Sequence, residues 1–157
     1  MLASEWMASD PREVWGDLAT SAFVRSNHLF KSLDEEAFQD LLKLAQVQTY
    51  TAGETLVSEG SGGEDFFLVR DGTAALSAER GGRALELGHL DRGGFFGEQR
   101  LLGGGIHPAS VMALTEVAVV RFPAPIIAAL AERFPKLGQL LQAVAAARQK
   151  ELAARGG

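Results

Sequence analysis

Between residues 47 and 122, glycine-bearing turn signals break the chain into short runs, and this excludes any long helix there. Gly53, Gly60, Gly62-Gly63, Asp71-Gly72, Gly81-Gly82 and Gly93-Gly94 are the punctuation. The runs between them predict strands over 47–50, 55–58, 66–70, 74–78, 83–88, 110–114 and 117–122, with a short one ahead of Phe96. Eighteen glycines in 157 residues point to many tight turns joining short strands, as in a small barrel or sandwich.

Helical patterns flank this region. Asp10-Pro11 is a helix start, and Val14, Trp15, Leu18, Ala22 and Phe23 follow at helical spacing. A second helix is predicted from near Asp34, with Phe38, Leu41, Leu42 and Leu44 as its apolar stripe. After Pro123, Ile126, Ile127, Leu130 and Phe134 define a short helix that Pro135 interrupts. Leu137, Leu140, Leu141, Val144 and Leu152 mark a last, alanine-rich helix. There is no internal repeat and no interdomain linker.

Composition narrows the function classes. With 46% hydrophobic and 22% charged residues the chain reads as one folded domain rather than a disordered segment. A net charge of -5 without a basic stripe argues against DNA or RNA as a partner, because phosphate neutralisation supplies most of that affinity. The absence of cysteine excludes a disulfide scaffold, a thiolate metal site and a cysteine nucleophile. The first ten residues hold Glu5 and Asp10 and no basic charge, unlike a signal peptide, and apolar runs such as 123–131 are too short to span a membrane. A cytoplasmic protein is expected.

Three stretches then carry a resemblance. They are Ala52-Gly53-Glu54-Thr55-Leu56 followed by Glu59-Gly60, Asp65-Phe66-Phe67-Leu68-Val69-Arg70-Asp71-Gly72, and Gly94-Phe95-Phe96-Gly97-Glu98 opening a short helical segment through Leu102. In this order and spacing, with helices on both sides, the chain resembles the cyclic-nucleotide-binding domain family over roughly residues 28 to 150, in a stand-alone, bacterial-type form. The resemblance implies an α+β, mainly β fold: an eight-stranded, jelly-roll-like β-roll (a double-stranded β-helix) with N-terminal and C-terminal helices. Residues 1–27 would form an N-terminal helical segment and 28–157 the domain proper. Gly53, Gly60 and Gly72 are expected to serve turns that need positive φ, not ligand contact.

The resemblance also implies a phosphate-binding cassette beginning at the Phe-Gly-Glu segment. Gly97 would supply an amide and Glu98 would accept a hydrogen bond from a ribose 2′-hydroxyl; alternatively, Glu98 caps its own helix N-terminus. The family's phosphate-pairing arginine is missing: His107 stands at its position, and Pro108 follows where a backbone N–H would serve the phosphate. Histidine lacks arginine's permanent charge and fork. One lost charge-assisted hydrogen bond costs ~1.5–3 kcal/mol. With a neutral bond lost as well, affinity falls by a factor of roughly ten to several hundred. His107 is either a protonatable phosphate ligand or a strand-edge histidine satisfied by backbone or water. Arg100, two residues past Glu98, either swings toward the phosphate or is a solvated surface charge. Gly103-Gly104-Gly105 is either an anion-binding nest or a loop. Ser110, at a position where some members touch the base, takes a minor ligand-binding role.

No catalytic constellation accompanies this site. His28, His89 and His107 lack a metal-ligand spacing, Ser110 has no triad partners, and no Gly-Lys-Ser/Thr follows the glycine run. A non-enzymatic regulatory module is expected, without cofactor or metal, its ligand being cyclic AMP, cyclic GMP or a cyclic dinucleotide. The last helix would close over the base through Leu137, Leu141 and Val144. Since no helix-turn-helix or membrane helix is visible, output would run through a protein partner or a homodimer of the last helix. The alternative is a degenerate pocket in a protein-interaction module, with the helix bearing Trp6, Met7 and Trp15 or the final helix as its surface.

Overall fold

The run Phe66–Val69 is buried at every position, and its alternate side chains enter two different cores. That is what a strand with both faces covered must do, since successive side chains point to opposite sides. In a computed structural model that describes residues 11–62, 65–98 and 106–156, this run is the middle of β3, Asp65–Asp71. The other strands are β1 Gln46–Tyr50, β2 Thr55–Val57, β4 Ala74–Arg80, β5 Arg83–Leu90, β6 Phe95–Phe96, β7 Ser110–Ala113 and β8 Val117–Pro123. They form two antiparallel four-stranded sheets, in the orders β1-β8-β3-β6 and β2-β7-β4-β5.

The two sheets face one another. Phe67, Val69, Phe96, Val117 and Val119 of the first sheet meet Val111, Ala113, Ala74 and Leu90 of the second between them. The opposite face of the first sheet carries Phe66, Leu68, Phe95, Val120 and Phe122, and helices cover it. Those helices are α1 Pro11–Ser26, α2 Glu35–Lys43, α3 Ala124–Arg133 and α4 Pro135–Gly156. The expected eight-stranded, jelly-roll-like β-roll with flanking helices is thus the fold observed, and the predicted strands agree with it to within about two residues at each end.

The helices begin and stop for local reasons. Asp34 accepts a hydrogen bond from the Ala37 backbone N–H at 2.8 Å, and Glu35 and Glu36 complement the first turn of α2. Asp34→Ala is expected to lower stability by about 1 kcal/mol, read as a shifted denaturant midpoint with unchanged slope. α2 ends at Lys43, so Leu44, expected on the apolar stripe, is instead 43% exposed at the C-cap. α3 gives way at Phe134, and Pro135 opens α4 as its position predicts. Asn27, at the end of α1, donates to the Gly93 carbonyl and accepts from the Leu29 N–H, tying the helical layer to the turn before β6.

Candidate functional site

β6 is two residues long and pairs with β3 through Phe67–Phe96 and Leu68–Phe95. The Phe67 and Phe96 rings stack at 4.5 Å, and those of Phe66 and Phe95 at 5.5 Å, so the short strand is held from both cores. The chain leaves β6 at Gly97, whose φ is +103°. A Cβ there would lie 2.8 Å from the Asp65 carbonyl oxygen and 3.2 Å from Phe66 Cα, so two independent constraints demand glycine. The next residue, Glu98, is only 2% exposed.

A carboxylate buried to that degree needs a partner. It has Arg148 of α4, whose Nη1 donates to Glu98 Oε1. Arg148 Nη2 donates to the Phe95 carbonyl oxygen at 2.6 Å, and the guanidinium carbon lies 5.3 Å from the Phe95 ring centroid. The guanidinium is therefore seated on a carbonyl, an aromatic face and a carboxylate at once. A quarter of the Arg148 side chain stays open to solvent, on the cleft side.

That cleft encloses about 160 Å³ between the second sheet, the Gly97–Glu98 corner and the end of α4. Its walls are mainly apolar, from Val57, Leu76, Leu90, Phe96 and Val111. Leu87 also lines it: the β4–β5 pairing passes from Leu76–Gly88 to Ser77–Glu86, and this bulge leaves Leu87 out of the register. Its polar groups include Glu98, His89, His107, Arg148 and Glu151. Among the described residues lining the cleft, Arg148 is the one permanent cation.

The sequence-predicted residues divide. Gly97, Glu98 and His107 come together at the cleft, with Pro108 beside them. His107 is buried; its N–H donates to the Ser61 carbonyl at 2.9 Å and its own carbonyl accepts from the Gly60 N–H at 2.8 Å. It also borders a polar hollow holding Tyr50, Asp65 and Arg121, in which Arg121 pairs with Asp65 and with Gln48. Burial pushes the Tyr50 hydroxyl above its ordinary pKa, against the lowering pull of Arg121. Ser110 does not line the cleft. Its Oγ accepts from the Glu59 N–H at 2.8 Å and so ties the β2–β3 loop to β7. The Glu79 backbone N–H holds the Glu59 carboxyl below the usual range; partial burial opposes this and Arg80 adds to the lowering. Arg100 and Gly103-Gly104-Gly105 lie outside the described residues, as do Trp6 and Met7.

The expected lid also needs correction. Leu137 and Leu141 are fully buried in the core beneath the helices, with Val144 packed against it. The residues of α4 that meet the cleft are Arg148, Gln149, Glu151 and Leu152, one to two turns further on. Arg148 is the site residue that sequence reasoning missed. Positions 137, 141, 144, 148 and 152 fall on one helical face, and an arginine in that apolar series was the available signal.

The family model described as the cyclic nucleotide-binding domain matches residues 47–134. The chain belongs to the cyclic nucleotide-binding domain family. It is 36% identical over 97 residues to a cAMP-dependent protein kinase regulatory subunit of Eremothecium gossypii, covering 62% of this chain and 20% of that protein. It is 30% identical over 96 residues to cGMP-dependent protein kinase, isozyme 1, of Drosophila melanogaster, covering 59% of this chain and 12% of that one. The chain therefore spans a fifth or less of these two curated relatives. Among solved structures, the regulatory domain of Toxoplasma gondii PKA with cAMP superposes with a TM-score of 0.72 at 21% identity, over 83% of this chain and 49% of that one. The sensor domain of the Pseudomonas aeruginosa regulator DNR gives 0.74 at 18%, over 89% and 93%. Catabolite Activator Protein of Thermus thermophilus gives 0.66 at 29%, over 81% and 60%. The first two likenesses speak for the fold. The proteins named come from eukaryotes and bacteria alike. No helix among the described residues is long and apolar enough to cross a membrane, and no group of three acidic or histidine side chains among them is placed to hold a metal ion.

Proposed function

We propose that this chain is a ligand-sensing regulatory module, not an enzyme, whose cleft takes a cyclic nucleotide with weak or altered affinity. The observation that carries the reading is the buried Glu98 carboxylate at the foot of an apolar cleft, set there by a preceding position that only glycine can fill. In that position Glu98 accepts a hydrogen bond from the ribose 2′-hydroxyl, and the base lies against the apolar wall. The amide of Gly97 serves the phosphate. His107 and Pro108 replace an arginine and a backbone donor, which is why affinity is reduced. The ligand biases the position of the last helix, and that bias is the signal passed to a protein partner or to a second copy of the chain.

A second reading has its own observation. Glu98 is already engaged by Arg148, so a pocket retired from nucleotide binding and kept in an interaction module would look alike. Calorimetric titration with cyclic AMP and cyclic GMP at pH 6 and pH 8 separates the two. The sensor reading expects saturable binding that Glu98→Ala abolishes and that His107→Arg, which restores the charge but not the donor missing at Pro108, strengthens by about ten- to a hundred-fold. Binding that is tighter at pH 6 assigns His107 a protonated, phosphate-holding role. No binding at either pH, by the native chain or by His107→Arg, leaves the interaction reading standing.

A further inference from the structure

We infer that Arg148 supplies, from the last helix, the fixed cation that pairs with the anionic group of the ligand. The inference rests on the reading that the cleft takes a cyclic nucleotide. A cleft built for such a ligand needs a permanent positive charge near Glu98, and neither His107 nor Pro108 provides one. Arg148 does so from fifty residues away in the chain, beside Gly97, Glu98 and His107.

Its seat makes the role chemically sensible. The Phe95 carbonyl and the Phe95 ring give the guanidinium two contacts that do not involve the carboxylate. Five N–H donors in a planar fork leave capacity beyond the two bonds to Glu98 and Phe95. Without ligand, the Glu98 carboxylate neutralises the cation. When a phosphate enters, Arg148 exchanges carboxylate for phosphate, and Glu98 is released to accept a ligand hydroxyl. Both groups keep a partner throughout, so neither is left buried and unpaired. Because Arg148 stands on α4, the exchange makes the seating of that helix depend on the ligand's charge.

The test is a double-mutant cycle read by calorimetry with cyclic AMP and cyclic GMP: native chain, Arg148→Gln, His107→Arg, and the two combined. Arg148→Gln is expected to weaken binding by about ten- to a hundred-fold. His107→Arg is expected to strengthen binding more in the Arg148→Gln background than in the native one, because it then replaces the one permanent cation among the described residues lining the cleft. A merely structural role for Arg148 predicts equal gains in both backgrounds. Glu98 without its cation threatens folding, so Arg148→Lys is measured alongside, keeping the charge without the fork, and each variant's thermal transition is compared with the native one. Arg148→Lys is expected to bind with intermediate affinity. Native binding left unchanged or tightened by Arg148→Gln overturns the role alone and makes Arg148 a latch that the ligand displaces. A native chain that binds neither nucleotide overturns the underlying reading and this role with it.

Discussion

Phe122→Ala is expected to lower the free energy of unfolding by about 3–5 kcal/mol, the range for deleting a large buried aromatic side chain. Phe122 is fully buried near the end of β8, on the face of the first sheet that the helices cover. It pairs across the sheet with Phe66, and its ring meets Phe30 edge-on at 5.7 Å. Truncation removes the contact that joins the β-roll to the segment between α1 and α2, and the surrounding strands cannot move in to close the gap without breaking register. For a domain of this size the loss corresponds to about 6–20 °C in the thermal midpoint. Phe122→Leu keeps most of the volume and should cost under about 2 kcal/mol. Chemical denaturation of the three chains checks this, and a loss below about 1 kcal/mol for Phe122→Ala would show that the helical layer does not pack on this face.

Gly72→Ala is expected to cost about 3 kcal/mol or more, and Gly53→Ala only about 1–2 kcal/mol. Both glycines have positive φ, +88° and +93°, so both substitutions place a Cβ in the left-handed region. They differ in what the Cβ meets. At Gly53 nothing lies within 4 Å, whereas at Gly72 the Glu116 carbonyl oxygen lies 2.1 Å away. The β3–β4 turn is locked against the β7–β8 turn by the Thr73 carbonyl, which accepts from the Leu114 N–H at 2.9 Å, and by Thr115 Oγ1, which accepts from the Thr73 N–H at 3.0 Å. An added methyl must push these turns apart. Equal losses for the two variants in urea unfolding would mean that dihedral strain alone acts and that the turns are not pressed together.

The two glycines also show what a sequence can reveal. Gly53, Gly60 and Gly72 were legible as positive-φ turn positions, because the demand is local and glycine meets it best. The strands were legible for a related reason: turn chemistry bounded them, whereas the covering of Phe66–Val69 on both faces emerged only from the packing of the two cores. The break at Pro135 followed from the ring's own geometry. What stayed hidden depends on contacts distant in sequence. The Ser110 hydroxyl is spent on a backbone N–H fifty-one residues away, and nothing adjacent to Ser110 discloses it. Leu137 and Leu141 had the right spacing for a helix face but not a statement of what that face would meet, and they met the core. Arg148 sat in the gap of that same stripe, where its charge reads as a fault in the pattern until Glu98 is placed opposite.

β8 lies between β1 and β3 in the first sheet, and neither of those strands pairs with the other. A ribosome releases them long before their shared neighbour. Fifty-two positions separate the end of β3 at Asp71 from the end of β8 at Pro123, which is roughly 3–10 s of synthesis at ~5–20 residues per second. During that interval the Phe-Phe-Leu-Val run has β6 at most as a partner on one edge, and an open edge on the other. The nascent chain thus carries this apolar run with one edge open for seconds, and β8 must enter between two strands made before it, a non-local pairing of the kind that slows folding.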